Sequence, residues 1–260
     1  MQPRVHNRVS QPSPLPPESP AVILSPPKSS AEQVADILAK FPNATQPDER
    51  AKLRSTLANS DAKGNAELFI DLLQQSADDD VIAGAQGALA RVADAALCKQ
   101  LVAAYEQGSD EAAIRIARTL ELVRATDAVP VLIQAIDAPG IPIEDRLSLA
   151  AMRALTSIGS PAAVRALAAR LNRANDTDAA VLSLALTTVA RPGSAPEIIA
   201  IAKGMRENAD TPRTRAAATL ALRNYPITET AESLQALAAD LDLEVATAAR
   251  KALSHSTTRR

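Results

Sequence analysis

Aromatic residues are almost missing from this chain: it has two Phe, two Tyr and no Trp. A single globular core usually draws much of its buried area from large rings, so this core has to be built differently. Alanine and leucine supply most of the 47% apolar content, which suits thin layers of closely packed helices. Cysteine occurs once, at Cys98, which excludes an internal disulfide. No apolar run approaches the ~18 residues needed to cross a bilayer. The segment Met1 to Ser10 carries Arg4, His6 and Arg8 with no apolar stretch behind them, unlike a secretory signal. Neither sign of charge is in excess. The net charge of -2 lacks the basic domain or stripe of a general nucleic-acid binder.

What is present divides the chain into unlike parts. Residues 1–29 hold eight prolines, including the run Pro12-Ser13-Pro14-Leu15-Pro16-Pro17. Proline fixes φ and removes a backbone donor, so this stretch reads as a disordered or polyproline-II arm. A short apolar island, Ala21-Val22-Ile23-Leu24, lies inside it. Ile23 and Leu24 are therefore candidate docking residues. From Ser30 the pattern turns helical. Val34, Ile37, Leu38 and Phe41 follow the i, i+3, i+4, i+7 spacing of one helix face. Residues 30–77 are expected to form an irregular helical cap.

From residue 78 a period appears. Leu89, Leu120, Leu155, Leu186, Leu222 and Leu253 recur at steps of 31, 35, 31, 36 and 31 residues. Three residues after the first five come Val92, Val123, Ile158, Val189 and Tyr225, and nine further on come Leu101, Leu132, Leu167, Ile198 and Leu234. Capping residues agree with this period. Ser109, Asp145, Asp176, Thr211 and Asp242 precede or open first helices, and Ser160-Pro161 opens a second one. Gly159 and Gly193 stand where first helices should stop. Each unit reads helix, turn, helix. One hairpin cannot cover both of its apolar faces, so the units should stack over residues 78–254 as an all-α repeat solenoid. Residues 255–260 are expected as a flexible tail.

The units resemble HEAT-like repeats, most nearly the short phycobilisome-lyase type. The resemblance is carried by Asp145-Arg146-Leu147 through Ala151-Met152-Arg153-Ala154-Leu155-Thr156-Ser157-Ile158-Gly159-Ser160-Pro161-Ala162-Ala163-Val164-Arg165-Ala166-Leu167. The stretch from Asp110 to Ile136, with Ala128-Val129-Pro130-Val131-Leu132, is similar. The resemblance implies a scaffold or adaptor gripping partners along a concave surface lined by second helices. It also raises three enzyme types. Deoxyhypusine hydroxylases carry repeated His-Glu pairs, but the histidines here are His6 and His255 and neither precedes Glu. Bilin lyases enclose a tetrapyrrole, and HEAT-like DNA glycosylases need a basic groove with aromatic contacts. Four aromatic residues supply neither.

Catalytic constellations are scarce. Cys98 lies beside Leu97 and Leu101 with no histidine nearby in sequence, the setting of a buried inert thiol. The run Asp78-Asp79-Asp80 lacks the glycine and spaced ligands of a calcium loop and reads as a helix start. Gly84-Ala85-Gln86-Gly87 falls inside a helical pattern rather than a phosphate loop. Arginines are numerous in the repeats, and most should form a solvated face with salt bridges between units. On second helices, Lys99, Gln134, Arg165 and Arg170 are the candidates for an inner surface facing an acidic partner. The expectation is therefore a non-catalytic protein-binding scaffold with no cofactor, metal or nucleic-acid partner, its arm acting as a tether or second contact. The rivals are a ligand-handling, lyase-like repeat protein and a structural subunit of an assembly. The expected compartment is the cytoplasm, or an extracytoplasmic site if an anchor precedes the arm.

Overall fold

The computed structural model describes residues 28–138, 140–205 and 210–257, and every regular element among them is a helix. An opening helix α1 (Ser30–Leu38) precedes six hairpins. These are α2 (Pro47–Ala58) with α3 (Ala66–Gln75), α4 (Asp79–Arg91) with α5 (Ala95–Gln107), and α6 (Asp110–Val123) with α7 (Val129–Asp137). Then come α8 (Arg146–Ile158) with α9 (Pro161–Asn172), α10 (Asp176–Thr188) with α11 (Ala195–Ala202), and α12 (Pro212–Ala221) with α13 (Ile227–Leu237). A last helix, α14 (Leu243–Thr257), closes the stack. The even-numbered helices, first in their units, pack on one another in order from α2 to α14. Each second helix packs on the first helix of the next unit, as α5 does on α6 and α7 on α8. The described residues form an all-α solenoid of stacked helical hairpins. No described helix is long and apolar enough to cross a membrane.

The leucine period is the core. Leu89, Leu120, Leu155, Leu186 and Leu222 are buried, as are Leu101, Leu132, Leu167, Ile198 and Leu234 one layer across. Local chemistry sets the helix starts. Asp78, Asp94, Ser109, Asp145, Ser160 and Thr211 each accept a first-turn N–H with their side chains, satisfying donors that the helix itself leaves open. Ser29 and Glu32 form a reciprocal capping box on α1. Small residues let the first helices approach. A Cβ at Gly84 would lie 2.8 Å from Leu57 Cδ2, and one at Gly87 2.9 Å from Ala58 Cβ. The glycines of α4 therefore set the α2–α4 spacing.

The structure departs from the sequence reading in four places. The expected cap contains a hairpin of the ordinary kind, because α2 packs on α4 as later first helices do. Its periodicity is faint because α2 has only Leu53 and Leu57 as large apolar residues. Asn175 rather than Asp176 caps α10, accepting the N–H of Asp178. That helix stops at Val189, whose side chain is buried, and Gly193 sits in the 3-10 turn that follows. At the far end α14 continues to Thr257, so the tail boundary expected at residue 255 lies inside a helix. No glycine or proline follows Leu253 to stop it. The arm at residues 1–27 lies outside the described residues.

Polar side chains fasten neighbouring units. Arg50 donates to Asp78 and Asp80 at 2.6 Å each and stands 5.7 Å over the Phe41 ring. The aspartate run thus caps α4 and docks α2. Arg115 donates to the carbonyls of Leu73 and Ser76, Asn224 to those of Thr187 and Val189, and Arg215 to Asp240 and the Ala202 carbonyl. Burial alone would raise the Asp78 carboxyl, but Arg50 and the N–H groups of Val81 and Asp80 outweigh it and hold it below its ordinary value. Asp240 is lowered likewise, burial being outweighed by the Asp242 N–H and Arg215. Both carboxylates thus stabilise the fold above the ordinary value of 3.8. That contribution is lost as pH falls through the lowered folded value.

Two outcomes are expected. Deleting residues 144–174, one unit in register, should leave a cooperatively melting helical array of lower stability, whereas deleting 160–174 alone should expose a core face and aggregate. Circular-dichroism melts of both would decide, and unfolding of only the whole-unit deletion would sink the modular account. In acid, Asp78→Asn keeps the cap but removes the titrating charge. Melts from neutral pH down to about 2 should show a shallower loss of stability for this variant than for the parent.

Candidate functional site

The second-helix candidates do not converge. Lys99 and Gln134 are exposed on α5 and α7. Arg165 on α9 pairs with Glu197 of α11 at 2.8 Å. Arg170 is mostly buried; it donates to the Ile136 carbonyl and to Asp178, both at 2.9 Å. Asp178 also accepts the N–H of Ile143 at 3.1 Å. Arg170 therefore ties three units together. Ile23 and Leu24 lie outside the described residues. Cys98 is half-buried, and burial, with Asp127 and Asp94 nearby, pushes its thiol up and away from the reactive thiolate. Burial pushes the Tyr105 and Tyr225 hydroxyls up to about 12, so both stay neutral. Among the described residues, no group of three His, Cys, Asp or Glu side chains is placed to hold a metal.

One depression of about 580 Å³ is bordered by Arg170, Arg173 and Asp178, and another lies on the other row, across the outward faces of α4, α6, α8 and α10. One part, about 580 Å³, is bounded by α6, α8 and α10, and a second of about 490 Å³ by α4, α6 and α8. Glu121, Leu149 and Arg153 border both, so they form one continuous groove. Helical spacing puts these side chains there. Ile114, Arg118 and Glu121 share a face of α6, Arg146, Leu149, Arg153 and Thr156 a face of α8, and Val181, Leu184 and Thr188 a face of α10. The floor is apolar: it is lined by Leu149, Met152 and Val181 and by Leu122 and Leu184, which are 56% and 65% exposed.

The rim is cationic in an unusual way. Most repeat arginines are tied: Arg91 to Asn59, Arg173 to Asp137, Arg213 to Asp176, and Arg250 to the Ala238 carbonyl. In the groove, Arg146 pairs with Glu111 at 3.0 Å. Arg118, Arg124, Arg153 and Arg191 make no side-chain hydrogen bond or salt bridge among the described residues, a condition shared by Arg223 at the end of α12. Glu121 is the acidic group among them. Arg124 has φ 55 and ψ 46 in the left-handed region, where it ends α6, and no other described residue except glycine has positive φ. Glycine or asparagine ordinarily fills such a position, and a side chain there costs roughly 1 kcal/mol.

Sequence reasoning placed most repeat arginines on a solvated face with salt bridges between units and looked to the second helices for a binding surface. A signal was available. Leu122 lies two residues after the core Leu120, and Leu184 two before the core Leu186. Residues two apart on a helix do not share a face, so these leucines had to point away from the core.

Among solved structures, the chain is similar to human deoxyhypusine hydroxylase in complex with glycerol, with 18% identity, a TM-score of 0.33, and coverage of 88% of this chain and 97% of that one. A superposition of that quality bears on neither activity nor partner. No family model and no curated protein matches the chain.

The two second-helix arginines should behave differently. Arg170→Ala leaves the Asp178 carboxylate buried without its cation and should cost about 3–5 kcal/mol. Arg165→Ala removes a half-exposed pair and should cost less than about 1 kcal/mol. Urea unfolding of the two variants measures both, and equal losses would contradict the assignment of Arg170 to the unit joint.

Proposed function

We propose that this chain is a non-catalytic protein-interaction module, a scaffold or adaptor that holds a protein partner in the first-helix groove. The observation that carries the reading is the groove itself. It has an apolar floor and four arginines, Arg118, Arg124, Arg153 and Arg191, whose guanidinium groups make no hydrogen bond or salt bridge among the described residues. Exposed leucines beside unsatisfied guanidinium groups add nothing to the fold, and a partner would bury the first and pair the second. The titratable groups point the same way. The thiol at Cys98 and the phenols at Tyr105 and Tyr225 are shifted away from reactive forms and lie outside the groove. The units are read as short HEAT-like repeats of the phycobilisome-lyase type, a fold that hosts many roles and assigns none by itself. In this reading the proline-rich arm is a tether or second contact, raising avidity through effective concentration.

A photo-crosslinking amino acid placed at Leu184 should give a discrete, stoichiometric protein adduct in the native cell, and the same residue placed at Gln134 should not. Adducts of equal yield at both positions, or none at Leu184, would remove the groove from the proposal. Running the full chain beside residues 30–260 tests the arm. Among the described residues the buried core begins at Val34, so the shorter chain keeps that core, and a tether predicts a lower adduct yield without the arm.

A further inference from the structure

We infer that the occupant of the groove is an acidic, amphipathic protein segment, with aliphatic side chains on Leu122, Leu149 and Leu184 and carboxylates on Arg118, Arg124, Arg153 and Arg191. This inference rests on the groove being a protein-binding surface. The charge argument comes first. Neighbouring units answer most repeat arginines with a carboxylate or a carbonyl, as Arg50, Arg115, Arg170, Arg173, Arg213 and Arg215 show. Around the groove this answer is missing for four arginines, and Glu121 is the acidic group present. Arg124 and Arg191 stand near the C-terminal ends of α6 and α10, where the helix dipole by itself favours a cation. Arg118 and Arg153 lie within their helices, and the dipole gives no reason for them. Clustered like charges repel one another, and carboxylates from a partner would relieve that repulsion while forming bidentate pairs.

Arg124 adds an independent observation. Its backbone stands in the conformation that glycine fills without strain. An arginine there lowers stability, and its side chain borders the groove. Its presence is accounted for by what the guanidinium binds and not by the turn it makes.

The apolar floor narrows the class of partner. A phosphate backbone would use the arginines but leave Leu122 and Leu184 in water. Single-stranded nucleic acid would also want aromatic platforms, yet Phe41, Phe69, Tyr105 and Tyr225 are all buried. The chain's own arm has the wrong sign. Residues 1–29 hold Arg4, Arg8 and Lys28 against Glu18 alone, so it is a poor match for a cationic rim. Size agrees with a short helix. Crossing three packed helices spans roughly 20 Å at about 9–10 Å between axes, which about 14 helical residues cover.

The test uses the full chain and a random 16-residue peptide library displayed on phage, followed by fluorescence anisotropy with the enriched peptides. Enriched peptides should combine Asp and Glu with Leu, Ile or Val at i, i+3, i+4 spacing. Arg118→Glu with Arg153→Glu should weaken their binding at least tenfold, and Leu184→Glu should do the same. Arg124→Gly should raise the melting temperature while weakening binding several-fold, a combination that general damage to the fold would not produce. Neutral or basic peptides that are lost on Leu184→Glu would overturn the acidic occupant and leave the groove reading intact. Acidic peptides indifferent to both the arginine and the leucine variants would overturn the groove reading as well, as would a library that yields no enrichment. An oligo-dT strand that binds tighter than any peptide, with the same arginine dependence, would replace the acidic segment by a phosphate ligand.

Discussion

A helical hairpin with apolar side chains on two faces has no stable state alone, and every other feature of this protein follows from that constraint. Only neighbouring hairpins can cover those faces, so the leucine of each first helix is buried by the units before and after it. The scarcity of aromatic residues becomes intelligible here. Layers one helix thick leave little room for large rings, whereas alanine and glycine let α2 approach α4 until a single added methyl group would collide. The same thinness explains why polar fastening matters. Each layer buries few large side chains, and arginines reaching from one unit to the carboxylates and carbonyls of the next fix the register between them. Such partly buried, multiply bonded pairs resist displacement better than exposed ones.

That division of labour separates the arginines into two populations. Those at unit joints are satisfied by the fold and have nothing left to offer a partner. Four around the α6, α8 and α10 faces are not, and they sit beside leucines that the core does not use. A surface of this kind costs the free protein something in exposed apolar area and in mutual repulsion among cations. Arg124, in a backbone conformation suited to glycine, adds a further local cost. Strained residues of this sort persist where surrounding structure fixes them, and they gather at binding sites.

Much of the architecture was legible along the chain. The helix starts at Ser109, Asp145, Ser160 and Thr211 follow from side chains that accept first-turn N–H groups, a purely local interaction. The leucine period reports burial because helical geometry alone decides which residues share a face. Departures arose where local signals were weak. The α2 helix carries too few large apolar residues to show the repeat pattern, so its hairpin read as an irregular cap, and α10 ends at the buried Val189 rather than at Gly193.

The sequence by itself determined an all-helical chain, its repeat length, its core leucines and its caps, because those depend on residues within a few turns of one another. It could not decide which arginines are occupied. Arg170 and Arg153 look alike in sequence, yet one meets the Ile136 carbonyl 34 residues away and the other meets nothing among the described residues. Only stacking brings the units into the register that pairs some cations and leaves others facing outward. For that reason the first-helix groove is visible only in the tertiary structure, and not in the order of residues.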